Sequence, residues 1–346
     1  MAVALLFCAK RKEMNYALNI EVAELMKQPG RVYEVAEKTQ YNRAMDAEDK
    51  EIAEVVGAHV EELIDKGDPN KEIAQFVNRT VTDELYGAPD ELLDSMFERG
   101  NIGEFDDYEA GRTVKNTLKA YDAAKGGNVP KSYLHYETIK PVWRNKQIEA
   151  DLSFVEVRRN AWKSVATLTT FMTEALKNQM FYDIFGMVDD AITGGEQKID
   201  AQGKEPTMQD MDALALYLNE YADGGNPFTV SLMKYCAKMR RMTGYAEYLS
   251  DAAKDEFNRY GLVKTYDGVA ITGISSAKKL GDGSLLIPDK RIYGIAGKIG
   301  RLDMKGETHT YEDHDNNNEK IHLMVKDFTF GYSIDHIERV AKIVLQ

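Results

Sequence analysis

Residues 151–191 contain no proline, and within them Trp162, Val165, Leu168, Met172, Leu176, Met180, Ile184 and Val188 step by three or four. That spacing brings one side of a helix back to the same direction every turn, so it predicts a single long amphipathic helix. Running from 154 to 192, it would be about 58 Å long at 1.5 Å per residue. No other element limits the fold as strongly, because the whole apolar face has to be covered. Gly186 is the place where a bend is expected, and Gly194-Gly195 stops the helix. Its methionines and aromatics are core packing rather than a cofactor box.

Upstream, Leu18, Val22 and Leu25, then Ile52, Val55, Val56, Val60, Leu63 and Ile64, also recur at helical spacing. Pro29-Gly30 interrupts the first segment, and the turn residues at 67–70 close the second, with Asp68 placed to cap a helix over 71–86. Another helix is expected over 89–98, with Pro89 in its first turn, and the GNIG run at 100–103 is the expected boundary. From 113 to 150 the character changes. Aromatic and β-branched residues surround a Gly126-Gly127 break, and Pro141 is incompatible with a helix interior, so two extended arms around a tip are predicted. Tyr133, Tyr136, Lys140, Trp143, Arg144 and Lys146 are the candidate contact residues of these arms, since Tyr, Trp and Arg favour interfaces. Two readings stay open, an arm lying on a neighbouring copy and an ordinary surface hairpin.

Beyond a polar loop at 196–206, helices are expected over 208–221, with Thr207 or Asp210 as cap, over 227–242 and over 246–258. The last quarter then turns to strands. YGLVKTYDGVAITGI at 260–274 alternates in polarity, and GSLLIPDKRIYGIAGKIG at 283–300 joins β-branched residues to closely spaced glycines. Strands are also expected over 306–311, over 320–334, where KIHLMVKDFTFGYSI alternates strongly, and over 339–345.

With 43% apolar and 29% charged residues, the 346-residue chain lies in the globular range. No run of about 18 apolar residues is present, so no membrane span is expected, and the start MAVALLFCAKRKEM does not read as a signal peptide. The charge is unevenly placed. Residues 46–109 hold 20 acidic and 5 basic side chains, whereas residues 112–163 hold 11 basic and 5 acidic. Blocks of opposite sign suit contacts with each other or between copies, and solvated helix faces are the alternative. On the first reading, the acidic block of one copy meets the basic block of the next.

No catalytic constellation emerges. Cys8 and Cys236 form no CxxC. EDHDNNNE at 312–319 fails the calcium-loop pattern, because Asn318 stands where glycine is needed and Met324 where the closing glutamate belongs. It reads as a turn. His309, His314 and His322 show no HExxH spacing, and neither a phosphate loop nor a nucleophile elbow occurs. KMRRM at 238–242 and Lys278 are small basic patches on a chain of net charge −13, too slight for sequence-specific DNA recognition. No metal and no cofactor is expected.

In their order, the N-terminal arm, extended loop, long helix, mixed domain and returning strands, together with LLIPDKRIYGIAGKIG, resemble the major capsid proteins of tailed double-stranded DNA bacteriophages with the Hong Kong 97 fold. The resemblance implies an α+β subunit with a helical acidic N-terminal arm over 1–112, retained rather than shed. An E-loop would span 113–150. A peripheral domain with a spine helix would take 151–206 and 306–346, and an axial domain 207–305. It further implies a non-enzymatic structural protein that self-assembles as hexamers and pentamers into the icosahedral head of a virion, built in the host cytoplasm. Its implied partners are copies of itself, a portal, scaffold or decoration proteins, and packaged DNA held without sequence preference. A cargo-storing encapsulin shell and a soluble enzyme of unknown class are the alternatives.

Overall fold

The computed structural model describes residues 22–66, 70–104, 106, 111–115, 117–122, 125, 128, 130–222, 225–239, 242, 264–306, 309–312 and 320–346. Several expected features lie outside the described residues: Cys8, Asp68, the Gly126-Gly127 tip, Arg240 and Arg241, the helix over 246–258, and the turn from Asp313 to Glu319 with His314. The side chains of Tyr136, His309 and His322 lie outside them too.

The long helix is present, and all eight side chains of its predicted stripe are buried. It runs Ala161–Ala191, about 46 Å, and passes through Gly186 without interruption. Its start differs from expectation. Phe154–Arg159 forms a separate short helix, and Asn160 breaks the run by leaving helical backbone angles and accepting a hydrogen bond from the Lys163 amide at 3.1 Å. Asparagine caps a helix this way because its short side chain satisfies an amide that has no partner in the first turn.

Three N-terminal helices cover one side of this spine: Pro29–Gln40, Ala47–Lys66 and Asn70–Tyr86. The expected interruption at Pro29 is present: helix at 22–25 ends before it, and Pro29 starts the next helix, as its fixed backbone angle suits that position. The Trp162 indole donates to Thr39 Oγ1 at 2.9 Å, and Lys177 pairs with Glu84 at 2.6 Å. Asp49, fully buried at the start of the second helix, takes Arg31 at 2.8 Å and Lys38 at 2.9 Å, which ties the first two helices together. The hydrogen bond from Lys38, chief among these, holds the Asp49 carboxyl below the usual carboxylate range although burial opposes it.

The helix expected over 89–98 is shorter, Glu91–Met96, with Asp90 accepting from the Leu92 and Leu93 amides. Phe97 then opens a strand that the sequence did not suggest, β1 (Phe97–Ile102), paired in parallel with β10 (Gly300–Lys305). In the same five-stranded sheet β12 (Lys320–Ile334) uses both of its edges. β4 (Val142–Ser153) runs along one, and β11 (His309–Glu312) and β10 follow in succession along the other. Phe328, Phe330 and Tyr332, alternating on β12, are buried, and each contributes about 2 kcal/mol through the apolar area it withdraws from water. The register of β12 on β4 shifts between Val325 and Phe328, where Asp327 takes a positive φ of 63° and accepts from Asn145. Such a bulge bends the strand pair.

A second, six-stranded sheet has the order β5 (Lys198–Asp200), β13 (Val340–Val344), β9 (Arg291–Ile295), β6 (Phe228–Leu232), β8 (Val269–Ile274) and β7 (Thr265–Tyr266). Met208–Tyr221 packs on it, and of the two expected caps Thr207 takes the position, with Asp210 completing a capping box. Two strand expectations change. FTVSL, read as the start of a helix over 227–242, is a fully buried strand, leaving helix only at Met233–Met239; its β-branched residues suit a strand enclosed by β8 and β9. The closing strand β13 does not accompany β12 but pairs with β9 and β5 in the six-stranded sheet, whereas β10 leaves that sheet for the other one.

The last turn of the spine helix is fixed to the six-stranded sheet. Asp189 Oδ1 accepts from Lys342 Nζ of β13 at 2.9 Å and from the Tyr293 hydroxyl of β9 at 3.0 Å, while Lys342 also reaches the Asp189 carbonyl at 2.7 Å. A cation at a helix C-terminus is favoured by the helix dipole as well. Burial pushes the Asp189 carboxyl up, yet the bonds from Lys342 and Tyr293 prevail and hold it below the usual range. Asp189→Ala leaves the buried Lys342 ammonium without its carboxylate and is expected to cost about 3 kcal/mol in chemical denaturation. Because the folded carboxyl titrates low, this contribution is full at neutral pH and fades as pH falls below about 4. The wild-type and variant curves therefore converge in acid.

Candidate assembly interface

The segment between β1 and β4 leaves the body of the chain as a hairpin. Among the described residues β2 (Gly111–Lys115) and β3 (His135–Ile139) pair only with each other, in an antiparallel two-stranded sheet. Beyond them, Thr117 Oγ1 donates to the Tyr133 carbonyl and the Lys119 amide donates to Ser132 Oγ, so the arms stay together outside the ladder. A two-stranded ribbon has no second layer on which to bury side chains. Leu118, Tyr121, Tyr133 and Leu134 are accordingly exposed, Tyr133 to 74% and Leu118 to 55%. Large apolar side chains gathered on one projection mark a contact surface.

The six sequence candidates separate into two groups. Tyr133 and Lys140 are exposed on the hairpin, and Tyr136 stands in β3 opposite Val114. Trp143, Arg144 and Lys146 belong instead to β4, because the alternating run that begins after Pro141 pairs with β12. Trp143 lies across Gly331 on the neighbouring strand, where any Cβ would come within 2.7 Å of its ring, and Lys305 sits over the ring at 5.9 Å. Arg144 is exposed, with its Nε 3.4 Å from the Tyr332 hydroxyl. Lys146 reaches Asp183 of the spine helix at 2.7 Å. That pairing joins residues 37 positions apart in sequence and left no local signal.

A second exposed surface runs beside β4. Among the described residues no strand pairs with the edge of β4 that faces away from β12. Between this strand and the spine helix two adjoining cavities of about 590 Å³ and 560 Å³ share Ile148, Phe171 and Ala175. Phe171 is half-exposed in the middle of the furrow, and Glu156 and Glu174 lie along it. Residues from three separated parts of the chain meet here, which periodicity in any one part does not reveal.

Among the described residues no three His, Cys, Asp or Glu side chains are grouped to hold a metal ion, and no helix is long and apolar enough to cross a membrane. Burial pushes the Cys236 thiol up to about 11, so this cysteine is an unreactive core residue. The acidic block is partly engaged within the chain, through Asp49 and Glu84.

The family described as "SPbeta prophage-derived putative capsid protein YonB" matches residues 23–332. No curated protein matches the chain. Among solved structures the chain is similar to the capsid of cyanophage P-SCSP1u, at 10% identity and a TM-score of 0.50 over 73% of this chain and 88% of that one. A structure from Gordonia phage Cozz is similar at 13% identity and a TM-score of 0.51, covering 73% and 84%. One from Mycobacterium phage Bobi is similar at 11% and 0.50, covering 76% and 94%. The shared architecture is the Hong Kong 97-type α+β fold.

Lys146→Glu sets a carboxylate against Asp183 and is expected to destabilise the subunit by about 1–3 kcal/mol. Lys140→Glu and Tyr133→Asp, exposed on the hairpin, should stay within about 0.5 kcal/mol of wild type. Denaturant titration of the three variants checks this; equal stability throughout would show that Lys146 is not held by the spine helix.

Proposed function

The chain belongs to the YonB capsid-protein family, and on that premise we propose that it is the subunit of a phage head whose copies are joined by the hairpin of one lying in the furrow of the next. The family makes it a structural protein of a capsid shell and not an enzyme, and favours a phage head over a cargo-storing cellular compartment. The observation that carries the contact is the exposure of Leu118, Tyr121, Tyr133 and Leu134 on a ribbon whose strands, among the described residues, pair with each other alone. The furrow complements it in kind. Phe171 and Ile148 offer apolar surface, and the charged lining is of both signs, Asp151, Glu156 and Glu174 with Lys146, Lys163 and Lys279, facing a hairpin that bears Lys119, Lys125 and Lys131. Charges set in this way guide register more than they add affinity.

Closed shells of this kind are assembled from hexamers and pentamers. We assign the unit built on the six-stranded sheet to the contacts around those axes, as the axial domain, and the unit built on the spine helix and five-stranded sheet to the contacts between neighbours, as the peripheral domain. Assembly takes place in the host cytoplasm, with a portal at one vertex and scaffold or decoration proteins as further partners. Contact with packaged double-stranded DNA is nonspecific and weakens with salt, in keeping with a net charge of −13. The outward-facing remainder of the acidic block, including Glu51, Glu54 and Glu61, is available to basic side chains of an adjacent copy.

Leu118→Asp combined with Tyr133→Asp is expected to lower the yield of sedimenting particles at least about tenfold, since several kcal/mol of apolar contact are lost per subunit. Circular dichroism of the soluble fraction should match folded wild type. Phe171→Asp should give the same result from the furrow side. Normal particles from both variants would overturn the assignment of hairpin to furrow, and normal particles from Phe171→Asp alone would move the receiving surface elsewhere.

A further inference from the structure

The polar face of the five-stranded sheet holds a carboxylate that the shell contacts do not use. Asp303 on β10 is 1% exposed, and its Oδ2 finds no hydrogen-bond partner among the described residues. Its cross-strand neighbours are Gly100 of β1 and Gly331 of β12. The carboxylate lies directly on Gly100, where a Cβ would come within 2.4 Å of Asp303 Oδ1. The residue therefore turns over the β1 backbone and not toward water, and a side chain at position 100 would expel it.

Among the described residues only Arg301 approaches it with a hydrogen bond, and poorly. Residues 301 and 303 point to the same face about 6.6 Å apart along the strand, so the guanidinium has to fold back, reaching Oδ1 at 3.4 Å. Arg301 Nε is left without a partner, as is Asp303 Oδ2. A well-formed arginine–carboxylate pair uses two parallel hydrogen bonds; here one long bond is made, with an orphaned donor and an orphaned acceptor beside it. The other charged groups facing the site come from each neighbouring element. Glu98 of β1 stands opposite Arg301 in register, Asp335 follows β12 and takes the Ser333 hydroxyl at 2.8 Å, and Lys305 of β10 sits over the Trp143 ring of β4. Two of these are carboxylates, which add to the cost of a third negative charge.

We propose that Asp303 is a proton-binding site built into the seam between β1 and β10, so that mild acid tightens the sheet from which the hairpin projects. Burial, foremost, holds its carboxyl above the usual range against the opposing pull of Arg301, and the weaker fields of Glu98 and Asp335 add to the effect of burial. The sign follows directly. A carboxyl that binds its proton more tightly when folded stabilises the fold while it is protonated, and that contribution is lost as pH rises through its folded pKa. Asp49 and Asp189 act in the opposite sense, so the effect is read as a difference between wild type and a variant that does not titrate.

Thermal unfolding of the full chain and of Asp303→Asn, followed by circular dichroism from pH 4.5 to pH 8, provides the test. The asparagine variant is expected to melt higher than wild type at pH 8, by about 2 °C or more, with the gap closing toward pH 4.5. A gap that does not change with pH, or a variant that melts lower at pH 8, overturns the proposal. If the variant fails to fold, hydrogen exchange in the wild type decides. After correction for intrinsic rates, β1 amides should be better protected at pH 5 than at pH 7.5 relative to amides of the six-stranded sheet. Equal protection at the two values counts against the site.

Discussion

Burial of one apolar stripe on the spine helix is the constraint on which the rest of the structure depends. The stripe extends from Trp162 to Val188, and no single neighbour covers it. The N-terminal helices cover part of it, the sheet of β4 and β12 covers another part, and its last turn is fixed to β9 and β13 through Asp189. A helix of about 46 Å held in this way becomes a beam to which both sheets are attached. The order of the chain follows: strands that begin far apart in sequence have to return to the same rod.

The same arrangement explains why the assembly surface is where it is. β12 is paired along both edges, so the free edge of this part of the sheet falls to β4, beside the spine helix. The hairpin that precedes β4 is a two-stranded ribbon and keeps Leu118, Tyr121, Tyr133 and Leu134 exposed. In the contact proposed above, a second copy completes the apolar projection and furrow that one subunit leaves exposed. Exposed strand edges and apolar patches are hazards in a monomer, and in a shell they are the means of closure.

Much of this was legible in the sequence wherever a local rule applied. The helical stripe, the capping box of Thr207 and Asp210 and the strands around Asp267 follow from periodicity and turn chemistry. The extended character of β2 and β3 follows from their aromatic and β-branched residues. What was hidden depended on partners distant in sequence. β1 exists because β10 offers it a parallel edge, and FTVSL is a strand because β8 and β9 enclose it. β13 belongs to the six-stranded sheet because Lys342 meets Asp189. Lys146 looked like a contact for another copy, but Asp183 is within its reach in its own chain. The break at Asn160 was the exception, since an asparagine followed by an apolar periodic run is itself a capping signal.

Electron microscopy of the purified chain, with sedimentation over a range of concentrations, tests the central claim most directly. The account predicts closed particles, or five- and six-membered rings that close as concentration rises. A monodisperse monomer or dimer that persists at the highest concentration would contradict it, because the exposed hairpin and furrow would then have remained unoccupied under the conditions that most favour their meeting.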